Sequence, residues 1–180
     1  MPTLSFGGPQ DGIIQIAYVV DDMDAAMRRW IDELHVGPWF LIPHFTGERP
    51  TYRGQPAESD VALAMSYAGH MLVELIQPND DKPSVYREAI ERTGYGFHHF
   101  GVSTTDYDRD LARHTELGHD VAFEAYVPTG GRVAYLDTTS ELPGYLELIE
   151  MDEPTEQTFS GFYAASLTWD GSTDPIRSFV

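Results

Sequence analysis

One pattern is written twice in this chain. From Gly12 to Asp24 a short apolar run leads into a turn carrying aspartate and then the start of an amphipathic helix. From Gly96 to Asp108 the same order returns. The two copies extend over residues 12–37 and 96–118, each helix ending near a glycine. In this register Gln15 falls on His99, and each precedes an aspartate (Asp22, Asp106) by the same interval. A duplication of this kind predicts two similar modules that share one interior. It also predicts that polar residues at matched strand positions meet there.

The pattern between the copies fills in the modules. Residues 12–20 read as a β-branched, buried strand. Asp21 or Asp22 caps a helix in which Met23, Ala26, Met27, Trp30 and Leu34 recur at helical spacing, and Gly37-Pro38 stops it. Trp39 to Phe45 reads as a strand. Glu48 to Glu58, with Pro50, Gly54 and Pro56, reads as a polar loop. Val61–Tyr67 and Met71–Gln77 form a hairpin around Ala68-Gly69. The second module follows as strand 97–103, helix 106–117 and strands 120–127, 132–138 and 145–150. Each half is therefore βαβββ. The expected class is α+β, with tandem modules at 12–78 and 96–151 forming a curved mixed or antiparallel sheet around a shared cavity. Residues 1–11 read as a loose N-terminal arm. Residues 79–95 read as a linker with a short helix capped by Ser84, and residues 152–180 as a C-terminal helix (154–169) and a polar tail.

The 180 residues suit one domain or two fused half-size modules. With no cysteine there is neither a disulfide framework nor a thiolate metal site. The formal charge of −18 argues against nucleic acid and anionic membrane as partners, because both need cationic footprints. The N-terminus lacks the basic-then-apolar order of a signal peptide, and no apolar stretch is long enough to span a bilayer. A soluble, cytoplasmic protein is expected.

Two strands carry a carboxylate where an aliphatic side chain would be ordinary. Leu72, Glu74 and Ile76 share one face of their strand, and Tyr145, Glu147 and Ile149 share one face of theirs. Glu74 and Glu147 occupy equivalent places in the two modules. A carboxylate on an otherwise apolar face must be paired, protonated or bound to a cation. The alternative is that these faces are solvated and the glutamates point outward. Taken together, Gln15, Glu74, His99 and Glu147 offer an amide oxygen, an imidazole nitrogen and two carboxylates. That set suits a divalent ion such as Zn²⁺, Ni²⁺, Co²⁺, Mn²⁺ or Fe²⁺. His98, next to His99, reads as structural or surface-facing.

The segments Gln15–Asp22, Val73–Pro78, Gly96–Val102, Gly131–Asp137 and Pro143–Ile149 together resemble the vicinal oxygen chelate superfamily, which includes glyoxalase I, methylmalonyl-CoA epimerase, bleomycin resistance proteins and extradiol dioxygenases. The resemblance covers about residues 12–151. It implies a metal site at Gln15, Glu74, His99 and Glu147, a set most like that of glyoxalase I. The epimerases usually carry histidine in place of Gln15 and glutamine in place of Glu74, although Val73–Pro78 and the His98-His99 pair look epimerase-like. The resemblance also implies a homodimer, for which the C-terminal helix is one candidate contact.

Three functions follow as expectations. The first is a metal-dependent isomerase, epimerase or lyase, in which Glu147 or Glu74 moves a proton next to the carbonyl of a small molecule through a metal-stabilised enolate. The second is a metal-free binding or resistance protein, its pocket lined by aromatics such as Trp39, Phe40, Phe45, Tyr52, Tyr67 and Tyr135. The third, an extradiol-type dioxygenase, ranks last because Gln15 stands where those enzymes need a histidine. A CoA ester would call for cations near the mouth; Arg49, Arg53, Lys82, Arg87 and Arg92 are available but read as surface charges.

Overall fold

The computed structural model describes residues 2–179. The first module contains β1 (Ile13–Val19), α1 (Met23–Leu34), β2 (Trp39–Phe45), β3 (Glu48–Tyr52), β4 (Gln55–Pro56), β5 (Val61–Ala68) and β6 (Met71–Pro78). After α2 (Val85–Thr93), the second contains β7 (Gly96–Thr104), α3 (Tyr107–Glu116), β8 (Asp120–Tyr126), β9 (Arg132–Asp137) and β10 (Tyr145–Glu150). The chain then forms α4 (Glu153–Thr168) and β11 (Ile176–Ser178). The three helix starts expected from Asp22, Ser84 and Asp106 are capped by those side chains, each accepting from a backbone N–H three residues on.

All strands join one mixed sheet in the order β11-β2-β5-β6-β1-β7-β10-β9-β8-β3-β4. The duplication is visible in that order. β1 and β7 pair antiparallel at the centre, each takes a parallel partner on its outer side (β6 and β10), and each half continues outward with two antiparallel strands. The sheet has two faces. Leu72, Ile76, Tyr145 and Ile149 belong to the concave core. Val73 and Leu75 pack under α1, and Leu148 packs under α3.

Three segments differ from the sequence-based expectation. Residues 48–58 are not a loop: β3 and β4 form a hairpin that pairs with β8 of the opposite module. The residues that suggest a loop fit this hairpin: Gly54 is in its turn with φ 76°, Pro56 lies on the edge strand β4, and Pro50 falls at the irregularity between Glu48 and Thr51, places where a missing N–H is tolerated. Only Thr46 and Gly47 separate β2, near one end of the sheet, from β3, near the other. So short a link spans about 11 Å at most, so the sheet must curl until its ends approach. Gly47 has φ 75°, and a Cβ there would sit 2.7 Å from the Cβ of Ala125; the closure needs a residue with no side chain. The N-terminal segment is not loose, because Phe6 is fully buried against Tyr67 and Phe159, at 5.8 and 6.1 Å between ring centroids. The tail is not all loop, since β11 pairs parallel with β2. Helix α4 turns Phe159 and Phe162 onto its own chain's sheet, where Phe162 stacks on Phe40 at 4.0 Å. Its aromatic face is thereby spent within the chain, while Gly161 and Leu167 of the same helix stay exposed. Among the described residues no helix is long and apolar enough to cross a membrane.

Candidate metal centre

The four candidate ligands come from the four central strands β6, β1, β7 and β10. Two irregularities in the β1–β7 ladder help to aim them. On β1 the pairing steps from Ile13↔Val102 to Gln15↔Gly101, so Ile14 is an extra residue. On β7 it steps from Ala17↔His99 to Tyr18↔Phe97, so His98 is the extra residue. A bulge of this kind breaks strict alternation and re-aims side chains. Ile14 and Gln15, and likewise His98 and His99, are consequently all buried. His98 is thus not a surface residue; it lies beside Tyr86, Tyr135 and Tyr145.

Glu74, His99 and Glu147 present one ligand atom each, all within 4.8 Å of one another. The His99 Nε2 lies 3.5 Å from Glu74 Oε2 and 3.1 Å from Glu147 Oε2. Gln15 completes the cluster: its Nε2 donates to Glu74 Oε2 at 3.1 Å and to Glu147 Oε2 at 2.9 Å, and lies 3.0 Å from His99 Nε2. Gly101 makes room for it, because a Cβ there would meet the Gln15 Cβ at 2.7 Å.

Burial and the facing Glu147 push Glu74 well above the usual carboxylate range. Burial pushes Glu147 up to about 8, while hydrogen bonds from Tyr135 and Gln15 pull it the other way. Burial pushes His99 down to about 3, which makes its imidazole neutral at ordinary pH. Among the described residues no cationic side chain is paired with the two carboxylates, so they hold protons or take a positive ion from outside.

The orientation of Gln15 differs from expectation in a way that tests the fit. Its Oε1 points away and is buried without a hydrogen-bond partner among the described residues, while the amide nitrogen faces the cluster. With only acceptors opposite, the NH₂ is the end that is stabilised there. A half-turn of the amide exchanges the two atoms, relieving the orphaned oxygen and completing an O,O,N,O donor set. The residues therefore fit a divalent ion of intermediate hardness.

His99 is oriented from behind. Its Nδ1 lies 2.7 Å from His98 Nδ1, and His98 Nε2 lies 3.4 Å from the Val85 carbonyl. If His99 keeps a lone pair on Nε2, its Nδ1–H donates to His98, whose Nε2–H points to Val85. Backing of this sort fixes the tautomer of a ligating histidine. Tyr135 sits opposite Glu147 in the ladder, with its ring 4.7 Å from that of His99. Of the aromatics expected to line a pocket, Phe45 and Tyr135 do so. Trp39 instead packs under α1, Phe40 and Tyr67 pack against α4, and Tyr52 donates to Glu88.

A family profile described as the glyoxalase/bleomycin resistance protein/dioxygenase superfamily matches residues 14–135. The chain belongs to this superfamily. The solved structures that share its fold include methylmalonyl-CoA epimerase from Mycobacterium tuberculosis, with TM-score 0.57 and 17% identity over 78% of this chain and 88% of that one. A Streptomyces coelicolor methylmalonyl-CoA epimerase variant in complex with 2-nitronate-propionyl-CoA has TM-score 0.56 and 19% identity over 81% and 97%. Hypothetical protein BH1468 from Bacillus halodurans C-125 has TM-score 0.56 and 19% identity over 78% and 94%. No curated protein sequence matches the chain. At these identities the structural likeness speaks to the vicinal oxygen chelate fold alone.

Proposed function

We propose that this protein is a metal-dependent isomerase, epimerase or lyase that moves a proton next to a carbonyl group. The observation that carries the proposal is the pair of buried carboxylates, Glu74 and Glu147, joined with His99 and Gln15 at the floor of an apolar cavity. A divalent ion held by these four residues would supply Lewis-acid polarisation of a carbonyl oxygen. The proton then needs a base within the same cluster. Gln15 cannot titrate, and His99 is committed through both ring nitrogens. A glutamate can take a proton from the carbon beside the carbonyl and return it to that carbon or its neighbour, with no net change in oxidation state. Burial raises the proton affinity of both glutamates when no ion holds them, so one that loosened from the ion would become the stronger base. The fold is shared with proteins named methylmalonyl-CoA epimerases, and an epimerase reading is compatible with a proton moved next to a carbonyl.

The test pairs metal analysis with isotope exchange. Protein purified without added metal should retain a divalent ion, and in deuterated water the loaded protein should introduce deuterium beside the carbonyl of its substrate. If no member of a broad panel of 2-hydroxy-carbonyl, hemithioacetal and acyl-thioester compounds exchanges, the protein is better read as a binding module. A homodimer is part of the same proposal, and light scattering at micromolar concentration checks it.

A further inference from the structure

The cavity above the cluster carries information about what enters it. Its walls are hydrocarbon: Ile42, Leu63, Met65, Phe123, Ile149 and Phe159 all line it. Polar side chains reach it at the floor, through Gln15, Glu74, Glu147 and Tyr135, and at Thr129 and Thr155, whose hydroxyls bond to each other at 2.7 Å. Neither lysine nor arginine is among the lining residues. The cavity is also small, about 50 Å³, against the roughly 150 Å³ that accepts a benzene molecule. Phe159 of α4 and Phe179 at the end of the chain contribute to its wall.

Among the described residues, none of the cations that a phosphate-bearing thioester would need lines the cavity, and two of them are held in tight pairs. Arg53 is paired with Glu88 and Asp137, both at 2.6 Å. Arg87 is paired with Asp81 at 2.6 Å and also donates to the Asp80 carbonyl. Lys82 lies 3.8 Å from Glu58, Arg92 3.9 Å from Glu88, and Arg49 3.7 Å from Glu48. Recognition of phosphate rests on free guanidinium or ammonium donors. A chain with a formal charge of −18 further disfavours a polyanion.

The geometry points to a small, uncharged carbonyl compound as the substrate, bound with its oxygen toward Glu74, His99 and Glu147 and its few apolar carbons between the sheet and α4. This rests on the proton-transfer reading for its chemistry, but not for its binding. The methylmalonyl-CoA epimerases among the structural neighbours are named for a ligand with a nucleotide-phosphate handle; here the hydrocarbon wall would supply the affinity instead.

Saturation-transfer NMR in deuterated water on the Zn²⁺-loaded full chain reads binding and exchange together. The probes are the small acyloins glycolaldehyde, hydroxyacetone and acetoin, with 2-hydroxyacetophenone as a size control, and propionyl-CoA. Affinity should rise about three- to fourfold per methylene from glycolaldehyde to acetoin, while 2-hydroxyacetophenone, too large for the cavity, and propionyl-CoA should give no saturation transfer at the same concentration. Uncharged probes that bind with this trend but exchange no proton would support the ligand class and refute the proton-transfer reading. Propionyl-CoA binding or exchanging while the uncharged probes do not would overturn the ligand class and leave the chemistry standing. No binding by any uncharged probe also overturns it. Phe159→Trp, which fills the cavity from α4, should weaken acyloin binding at least tenfold with metal content unchanged; Ile42→Phe repeats the test from the sheet should the first variant fold poorly. Unaltered acyloin affinity in a folded filled variant would place the ligand elsewhere and overturn the proposal.

Discussion

The two modules of this protein solve one backbone problem identically and then diverge in chemistry. Each central strand bulges one residue before its candidate ligand, at Ile14 before Gln15 and at His98 before His99. In the first module the extra inward side chain is aliphatic and fills core. In the second it is an imidazole 2.7 Å from its neighbour, and it backs the ligand. The glutamates diverge as well. Glu74 faces Met65 across its ladder, whereas Glu147 faces Tyr135, which stabilises the charged form. A duplicated frame places four side chains at one point, and their neighbours differ; on the proposed reading those neighbours would set which of them bind, which orient and which carry a proton.

The largest effects should come from the glutamates. Glu147→Gln and Glu74→Gln should each lower turnover by roughly 10²–10⁴-fold, the usual range for losing a general base, while metal affinity falls much less. Steady-state kinetics beside metal titration would show it, and equal losses in both would mean that the glutamates serve only as ligands. The bulge asymmetry comes next. His98→Ala should weaken metal binding by roughly 10–100-fold without abolishing it, as loss of an orienting partner does, and His98→Asn should restore part of that loss. Ile14→Val, the matched change in the first module, should leave metal affinity unaltered and cost only about 0.5–1.5 kcal/mol of stability. Chelator competition and thermal melts would separate these outcomes.

A smaller effect concerns the room left for Gln15. Gly101→Ala would bring a Cβ to 2.7 Å from Gln15 and 2.8 Å from Ile149. It should destabilise the fold by about 1–3 kcal/mol through overpacking, and the metal-loaded protein should lose more stability than the metal-free one if Gln15 swings away, because a ligand is lost as well. The smallest effect is in pH dependence. The metal-free folded state keeps protons on Glu74 and Glu147 that the unfolded chain releases above about pH 4.3. Each step up in pH then favours unfolding, until the folded groups ionise too, for Glu147 at about 8. Metal-free protein should therefore melt lower at pH 8 than at pH 5, and Glu74→Gln should flatten that slope. A melting temperature that rises over this window would show that the carboxylates are already compensated.

The duplication made the architecture legible. Matched caps at Asp22 and Asp106, alternation around Glu74 and Glu147, and the turn at Ala68-Gly69 locate the two modules and the four central residues. The bulges were not legible, because an extra residue in a ladder leaves no mark in an alternating pattern; His98 therefore read as structural or surface-facing. The β3–β4 hairpin was hidden for another reason. Its pairing with β8 joins the two modules, and neither strand is apolar enough to announce itself. Phe6 was likewise lost among Gly7, Gly8 and Pro9, although it packs against two distant rings.

The central claim is that Gln15, Glu74, His99 and Glu147 hold one divalent ion. The direct measurement is metal content after chelation and reloading, by mass spectrometry on wild type, His99→Ala and His98→Ala. The account predicts close to one ion per chain in wild type, none retained in His99→Ala, and a weakened but saturable site in His98→Ala. A wild-type chain that takes up no Zn²⁺, Ni²⁺, Co²⁺, Mn²⁺ or Fe²⁺, or a His99→Ala chain that still holds one ion, would contradict it.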